Sequence, residues 1–301
     1  MKRNLLPAAI ALAASVGAAI FFAQVHDPNG PANDELPEAD PATSQAVPNP
    51  KSAVPQELRI DWNPSFSELA LSGPAGVTVV GHGHPAPVSA GPVKTGAAWS
   101  TIKVPLAVAA AKHGGSASDA RVAITASDNP AAQRLWNALG SSDEAGRYTE
   151  EELRLGGDNR TKVETRQVVP PYSSFGQTQW ALADQASYAS TLQCREDARE
   201  VVKDMSDIVL GEQVGFGATN WANRTRYKVG WGPAANGGYL ARELAVVTTK
   251  DGRIYGVSIA VQSMQGARAA QRDLTTIAKW LTTRILDVPA DDCDVQTASK
   301  P

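Results

Sequence analysis

The chain has 301 residues, with 28 Lys and Arg against 31 Asp and Glu, for a net charge of −3. That balance lacks the basic excess that a nucleic-acid partner would select, so no nucleic acid is expected as a ligand. Two cysteines and four histidines are present. None of them forms a group with metal-ligand spacing, so neither a metal nor an organic cofactor is expected.

In chain order, Lys2 and Arg3 precede a charge-free run from Leu5 to Val25. The run is long enough to cross a bilayer core, which takes about 20 helical residues. Residues 1–26 are read as an uncleaved signal anchor, with a cleaved signal peptide as the alternative. Ala23, with Phe21 two positions before it, makes a poor small-residue cleavage point. Either way the remainder is expected to be exported, as an anchored extracytoplasmic protein of the cell envelope or as a secreted one. Residues 27–55 hold seven prolines, several acids and few large apolar side chains. Such a stretch buries too little surface to offset its ordering entropy, and it predicts a disordered, semi-extended linker. Residues 56–295 suit one globular domain, expected to be a monomer, and 296–301 a flexible tail. Membrane contact is expected through the N-terminal segment only.

Within the domain, Ser65 to Leu71 predicts a short helix capped by Ser65. Gly76 to Val80 predicts a strand, His82 and His84 fall in turn chemistry as solvated loop histidines, and a second strand follows near Val88. Ile102 to Ala111 is apolar and alanine-rich, stopped by Gly114 and Gly115. Further helices are expected from Asn129 to about Leu139, over Gln179–Leu192 and over Glu196–Val209. Three strands follow, Arg226–Trp231, Leu240–Thr249 and Arg253–Val261, the last two joined by a turn at Lys250-Asp251-Gly252. Ala267 to Leu286 has apolar residues at helical spacing. The order predicts an α/β (α+β) fold: an antiparallel sheet made from both ends of the domain, flanked by helices, with an all-helical lobe inserted in the middle. In an oxidising compartment the pair Cys194 and Cys293 reads as one disulfide.

Three short motifs carry chemistry. In Ser100-Thr-Ile-Lys103 the serine and lysine share a helix face, and the lysine sits in an apolar stretch where a charge needs a purpose. A serine hydroxyl needs a base, and a lysine of lowered pKa supplies one. In Ser127-Asp128-Asn129, Asp128 or Asn129 reads as a cap for a helix that begins with Pro130, a role compatible with proton relay by Ser127. In Lys228-Val229-Gly230, alternation puts Lys228, Gly230 and Gly232 on one strand face, a flat strip for a ligand backbone.

Taken in this order, the three motifs resemble those of the penicillin-recognising serine enzymes, and the chain looks like their class A β-lactamase branch over most of residues 65–286. The resemblance implies that Ser100 is the nucleophile that forms an acyl-enzyme, Lys103 its base or part of the base relay, and Ser127 the relay to the leaving nitrogen. It implies substrate binding by Asn129, Lys228, Gly230 and Trp231, with the backbone N–H groups of Ser100 and Trp231 as oxyanion hole. The implied partner is a small-molecule β-lactam or a cell-wall peptide.

The pattern departs from the family in three places. Ser100 and Ser127 are only 27 residues apart (127 − 100). Val229 stands where the family has a hydroxyl that binds the substrate carboxylate, and Arg242 or Arg226 is expected to compensate. No Glu-x-x-Leu-Asn loop is present; Glu164 is the candidate for a deacylation base, and Glu150, Glu151 and Glu152, also candidates by position, are read as a solvated helix face. Three readings therefore stand open: β-lactamase-like hydrolysis with slow deacylation, a D,D-peptidase or penicillin-binding protein, and a non-catalytic envelope-binding domain.

Overall fold

The computed structural model describes residues 60–235 and 237–294. The expected anchor, linker and tail lie outside the described residues. No described helix is long and apolar enough to cross a membrane.

The elements in chain order are α1 (Asn63–Ser67), β1 (Ala75–Gly81), β2 (His84–Ala90), β3 (Thr95–Ala97), α2 (Lys103–Lys112), α3 (Ala117–Thr125), α4 (Asn129–Ala138) and α5 (Ser142–Leu155). There follow β4 (Gln179–Ala181), α6 (Leu182–Leu192), α7 (Arg199–Asp204), β5 (Thr225–Pro233), β6 (Tyr239–Thr248), β7 (Ile254–Ser263) and α8 (Ala267–Leu281). Five strands form one antiparallel sheet in the order β2-β1-β7-β6-β5. Strands from the two ends of the domain therefore meet at β1 and β7, where Val77 pairs with Ile259. The mixed α/β architecture and the inserted helical region match the expectation.

Burial explains how the layers close. The apolar alternation of β7 leaves Gly256 toward α6, where a Cβ would lie 2.0 Å from the Ala186 carbonyl oxygen. Only a glycine lets that helix lie so close to the sheet. Ser258, two residues on, reaches Gln185 of α6. The intervening Val257 and Ile259 are fully buried and turn to the opposite face, on which α8 packs with Leu274, Ile277 and Leu281. A disulfide joins Cys194, just after α6, to Cys293, just after the last helical turn, with a Cα–Cα distance of 5.2 Å.

Several predicted boundaries move for local reasons. Ser65 is not a cap: α1 starts at Asn63 with Pro64 in its first turn, and the Ser65 hydroxyl donates to the Trp62 carbonyl. Gln179 to Ala181 is a strand paired with β3, and the buried Trp180 indole N–H donates to Asp158 at 2.8 Å. The predicted helix from Glu196 shortens to α7, because the chain leaves it at Met205, whose carbonyl accepts the Tyr227 N–H of β5. The last helix ends at Leu281, followed by a separate 3₁₀ turn at Ile285–Asp287. The expectation of a solvated face for Glu150, Glu151 and Glu152 fails at Glu152, which is 1% exposed. It is enclosed by Lys112, Tyr188 and Arg195 on neighbouring helices and turns. Nor are the two loop histidines simply solvated: His82 bonds the Ser190 carbonyl and His84 pairs with Asp291.

Candidate active site

Ser100 lies in a 3₁₀ turn, Trp99–Ile102, that leads directly into α2, so it stands at the positive end of that helix. The turn is fixed from behind. The Thr101 hydroxyl donates to the Ala98 carbonyl at 2.6 Å and accepts from Gln185 Nε2 at 2.8 Å. Gln185 Oε1 in turn accepts from Arg242 of β6 at 2.8 Å and from Ser258 of β7 at 2.5 Å. A buried polar chain thus runs from the sheet to the residue beside Ser100.

Lys103, one turn on, is 2% exposed. Its Nζ donates to the Ser127 carbonyl at 2.5 Å and to Asn129 Oδ1 at 2.7 Å, and lies 3.5 Å from Ser127 Oγ. Burial, reinforced by the nearby Lys228, lowers its pKa to about 7. Lys228 is fully buried, and burial pulls its pKa down to about 8. Its Nζ donates to Ser127 Oγ at 2.8 Å and to its neighbour's carbonyl, that of Val229, at 2.9 Å. Ser127 thus bridges the two lysines. Asp128 supplies the α4 cap, accepting from the Ala131 N–H at 2.6 Å, which leaves Asn129 as the first helical residue and free to meet Lys103.

The edge strand β5 closes the other side. A Cβ at Gly230 would fall 2.5 Å from the Ser100 amide nitrogen and 3.0 Å from that of Thr101. The third motif's glycine is therefore what lets β5 lie against the amide of Ser100. Trp99 and Ser127 are the two non-glycine residues with positive φ among the described residues, at 49° and 56°. Such conformations cost about 1–3 kcal/mol each and collect where geometry is held for a purpose. Both adjoin Ser100 or Lys103.

Ser100 opens onto a groove of about 600 Å³, whose lining includes Lys103, Asn129, Gln133, Gln167, Ser173, Trp231 and Gly232. The structure thus gathers Ser100, Lys103, Ser127, Asn129, Lys228, Gly230 and Trp231 around one place. Glu164 is not among them. Its carboxylate accepts from the Arg166 backbone and guanidinium, whose hydrogen bonds hold its pKa below the usual range, and it lines no part of the groove. No Asp or Glu lines the groove among the described residues.

Neither expected replacement for the hydroxyl lost at Val229 reaches the groove. Arg242 is fully buried and bonded to the Gly96 and Trp180 carbonyls and to Gln185. Arg226 lines a separate cleft with Cys194, Arg199 and Lys203.

Two acids went unnoticed in the sequence. Glu212 is mostly buried and lies 3.6 Å from Lys228 Nζ, an ion pair without a direct hydrogen bond. Burial raises its pKa, while Lys228 and Lys103 oppose the rise. It ends a short 3₁₀ turn, Leu210–Glu212, without periodicity, which offers no sequence signal. Glu243, paired with Val229 across the sheet, is fully buried, and burial pushes its pKa up to about 8. A signal did exist there: a charge in a run apolar on both faces marks a buried group.

Neither protein-family profiles nor curated protein sequences give a match to this chain. Solved structures do. The ancestral class A β-lactamase of Gram-negative bacteria aligns with a TM-score of 0.57 at 18% identity, over 75% of this chain and 100% of that one. The TLA-3 extended-spectrum β-lactamase aligns with a TM-score of 0.59 at 12% identity, over 74% and 96%. A variant of the chromosome-encoded β-lactamase of Vibrio parahaemolyticus aligns with a TM-score of 0.55 at 14% identity, over 73% and 97%. The fold is β-lactamase-like. Within this β-lactamase-like fold, the groove bearing Ser100 lies between the edge strand β5 and the helical region of α2 and α4.

Proposed function

We propose that the protein is an exported serine hydrolase that forms an acyl-enzyme at Ser100, with β-lactamase-like chemistry and slow deacylation. The supporting observation is the bridge of Ser127 between a buried Lys103 with a pKa about 7 and a buried Lys228. In the neutral amine of Lys103, two N–H groups stay on the Ser127 carbonyl and on Asn129, and the lone pair remains for the Ser100 proton. Ser100 Oγ then bonds to the substrate carbonyl carbon as the carbonyl becomes an oxyanion, met by the amides of Ser100 and Trp231. Collapse breaks the carbon–nitrogen bond, and the proton passes from Lys103 through Ser127 to the departing nitrogen, while Lys228 holds the Ser127 hydroxyl in place. The disulfide and the charge-free N-terminal run support export.

Slow deacylation follows from the groove's lining. Water needs a base to attack the ester, and no carboxylate lines the groove among the described residues. Incubating the protein with millimolar benzylpenicillin and following intact mass tests both halves. One adduct is expected, absent in Ser100→Ala and lasting far longer than it takes to form. Rapid loss of the adduct would overturn slow turnover, and an adduct on Ser100→Ala would overturn the nucleophile.

A further inference from the structure

We infer that this groove selects uncharged acyl donors, lacking a carboxylate beside the scissile bond, rather than anionic ones; the inference rests on the reading of Ser100 as nucleophile. An anionic substrate needs a cation or a spare charge-assisted donor, and each candidate is already committed. The two N–H groups that Lys103 keeps as a neutral base go to Ser127 and Asn129. Lys228 has no exposed surface, its Nζ donates to Ser127 and Val229, and Glu212 at 3.6 Å offsets its charge. Arg242 is spent on the scaffold and Arg226 belongs to the other cleft. Among the described residues the groove lining holds no cation besides Lys103, so a substrate carboxylate entering it would lose its hydration and meet no uncommitted counter-charge.

The walls suit a neutral ligand instead. Trp99, Tyr172, Phe175, Trp231 and Tyr239 line the groove. The Trp99 and Tyr172 rings pack edge to face at 5.2 Å, which sets a rigid aromatic corner next to Ser100. Trp99 is 7% exposed and its indole N–H is buried, so what its ring offers the groove is carbon rather than a hydrogen-bond donor. Val168 and Val169, both largely exposed, lie on the loop that carries Tyr172.

The test compares benzylpenicillin with its methyl ester, the same acyl group with and without the carboxylate. Second-order acylation of Ser100 in the full protein is followed by intact mass, each rate divided by that compound's rate with hydroxylamine in solution. The methyl ester is expected to acylate at least about tenfold faster, the size of one charge-assisted hydrogen bond foregone by the acid. An equal or faster rate for the free acid would overturn the selection while leaving Ser100 as nucleophile. If neither compound gives an adduct that Ser100→Ala abolishes, the proposed chemistry fails and the selection with it.

Discussion

Two ionic clusters lie at opposite ends of α2, one buried and one open to solvent at Lys112 and Asp197, and they are built to opposite ends. At its C-terminal end, Lys112 meets Glu152 at 2.7 Å and Asp197 at 2.6 Å. Arg195 lies 2.7 Å from Glu152 and 2.8 Å from Asp197, and the Tyr188 hydroxyl donates to Glu152 at 2.9 Å. Two cations meet two carboxylates at contact distance. Burial works against the Arg195 charge, yet the hydrogen bonds it donates to Glu152 and Asp197 hold its pKa above the usual range. Asp197 is drawn down to about 2 by the Arg195 hydrogen bond. At the N-terminal end, Lys228 lies 3.6 Å from Glu212, Lys103 has no carboxylate at contact distance among the described residues, and burial pulls both lysines toward neutrality. A balanced cluster fixes charges and holds helices together. An unbalanced one leaves a proton loosely held, which acid–base work requires.

Breaking each cluster should have opposite consequences. Lys103→Met should lower acylation by roughly 10²–10⁴-fold, the usual worth of a positioned base. The same change should leave stability equal or higher near neutral pH, since it replaces a buried charge by an apolar side chain. The pH dependence gives the sign. The Lys103 pKa falls from 10.5 in an ordinary lysine to about 7 in the fold. Between those values the unfolded chain binds the extra proton, so wild-type stability gains with rising pH. The Met variant should lack that gain, as urea midpoints at pH 7 and pH 10 would show. A variant that loses both activity and fold would show instead that Lys103 is structural.

Glu152→Ala should do the reverse. It leaves the buried Tyr188 hydroxyl without its acceptor, and Lys112 and Arg195 with the exposed Asp197 alone, a loss of about 1–3 kcal/mol. Denaturant unfolding should register that loss, while acylation per folded molecule stays as in the wild type. A drop in the intrinsic acylation rate would mean that the two ends of α2 are coupled, and the contrast drawn between them would fail.

The sequence made one of these clusters legible and hid the other. Ser100, Lys103, Ser127 and Lys228 stand in short motifs whose local context, a helix start, a cap and a strand face, survives into the fold. The sheet was readable for the same reason, since alternation and turn chemistry are local. Glu152 was misread because Glu150 and Glu151 precede it, and only the packing of α5 beside α2 and Arg195 shows which of the three points inward. Glu212 was invisible, because its burial beside Lys228 depends on a loop path between α7 and β5 that no periodicity encodes. Arg242 misled in the other direction. A strand arginine near the third motif suggested an anion site, but its guanidinium is turned toward Gln185 and the Gly96 and Trp180 carbonyls.

The smallest effect expected is the most specific to the unbalanced cluster. Glu212 raises the pKa of both Lys103 and Lys228, against the burial that lowers them. In the wild type, acylation should climb as Lys103 loses its proton near pH 7 and fall as Lys228 loses its own near pH 8. Glu212→Gln keeps the shape and removes the charge, so both limbs should move toward acid, by up to about one pH unit, or 1.36 kcal/mol of differential interaction. The measurement is the pH profile of second-order acylation for the two proteins. An unmoved profile would mean that Glu212 carries a proton at neutral pH, as burial alone would favour. Lys228 would then have no counter-charge, Lys103 would keep only the more distant Asp128, and the case for an offset Lys228 would rest on its committed hydrogen bonds only.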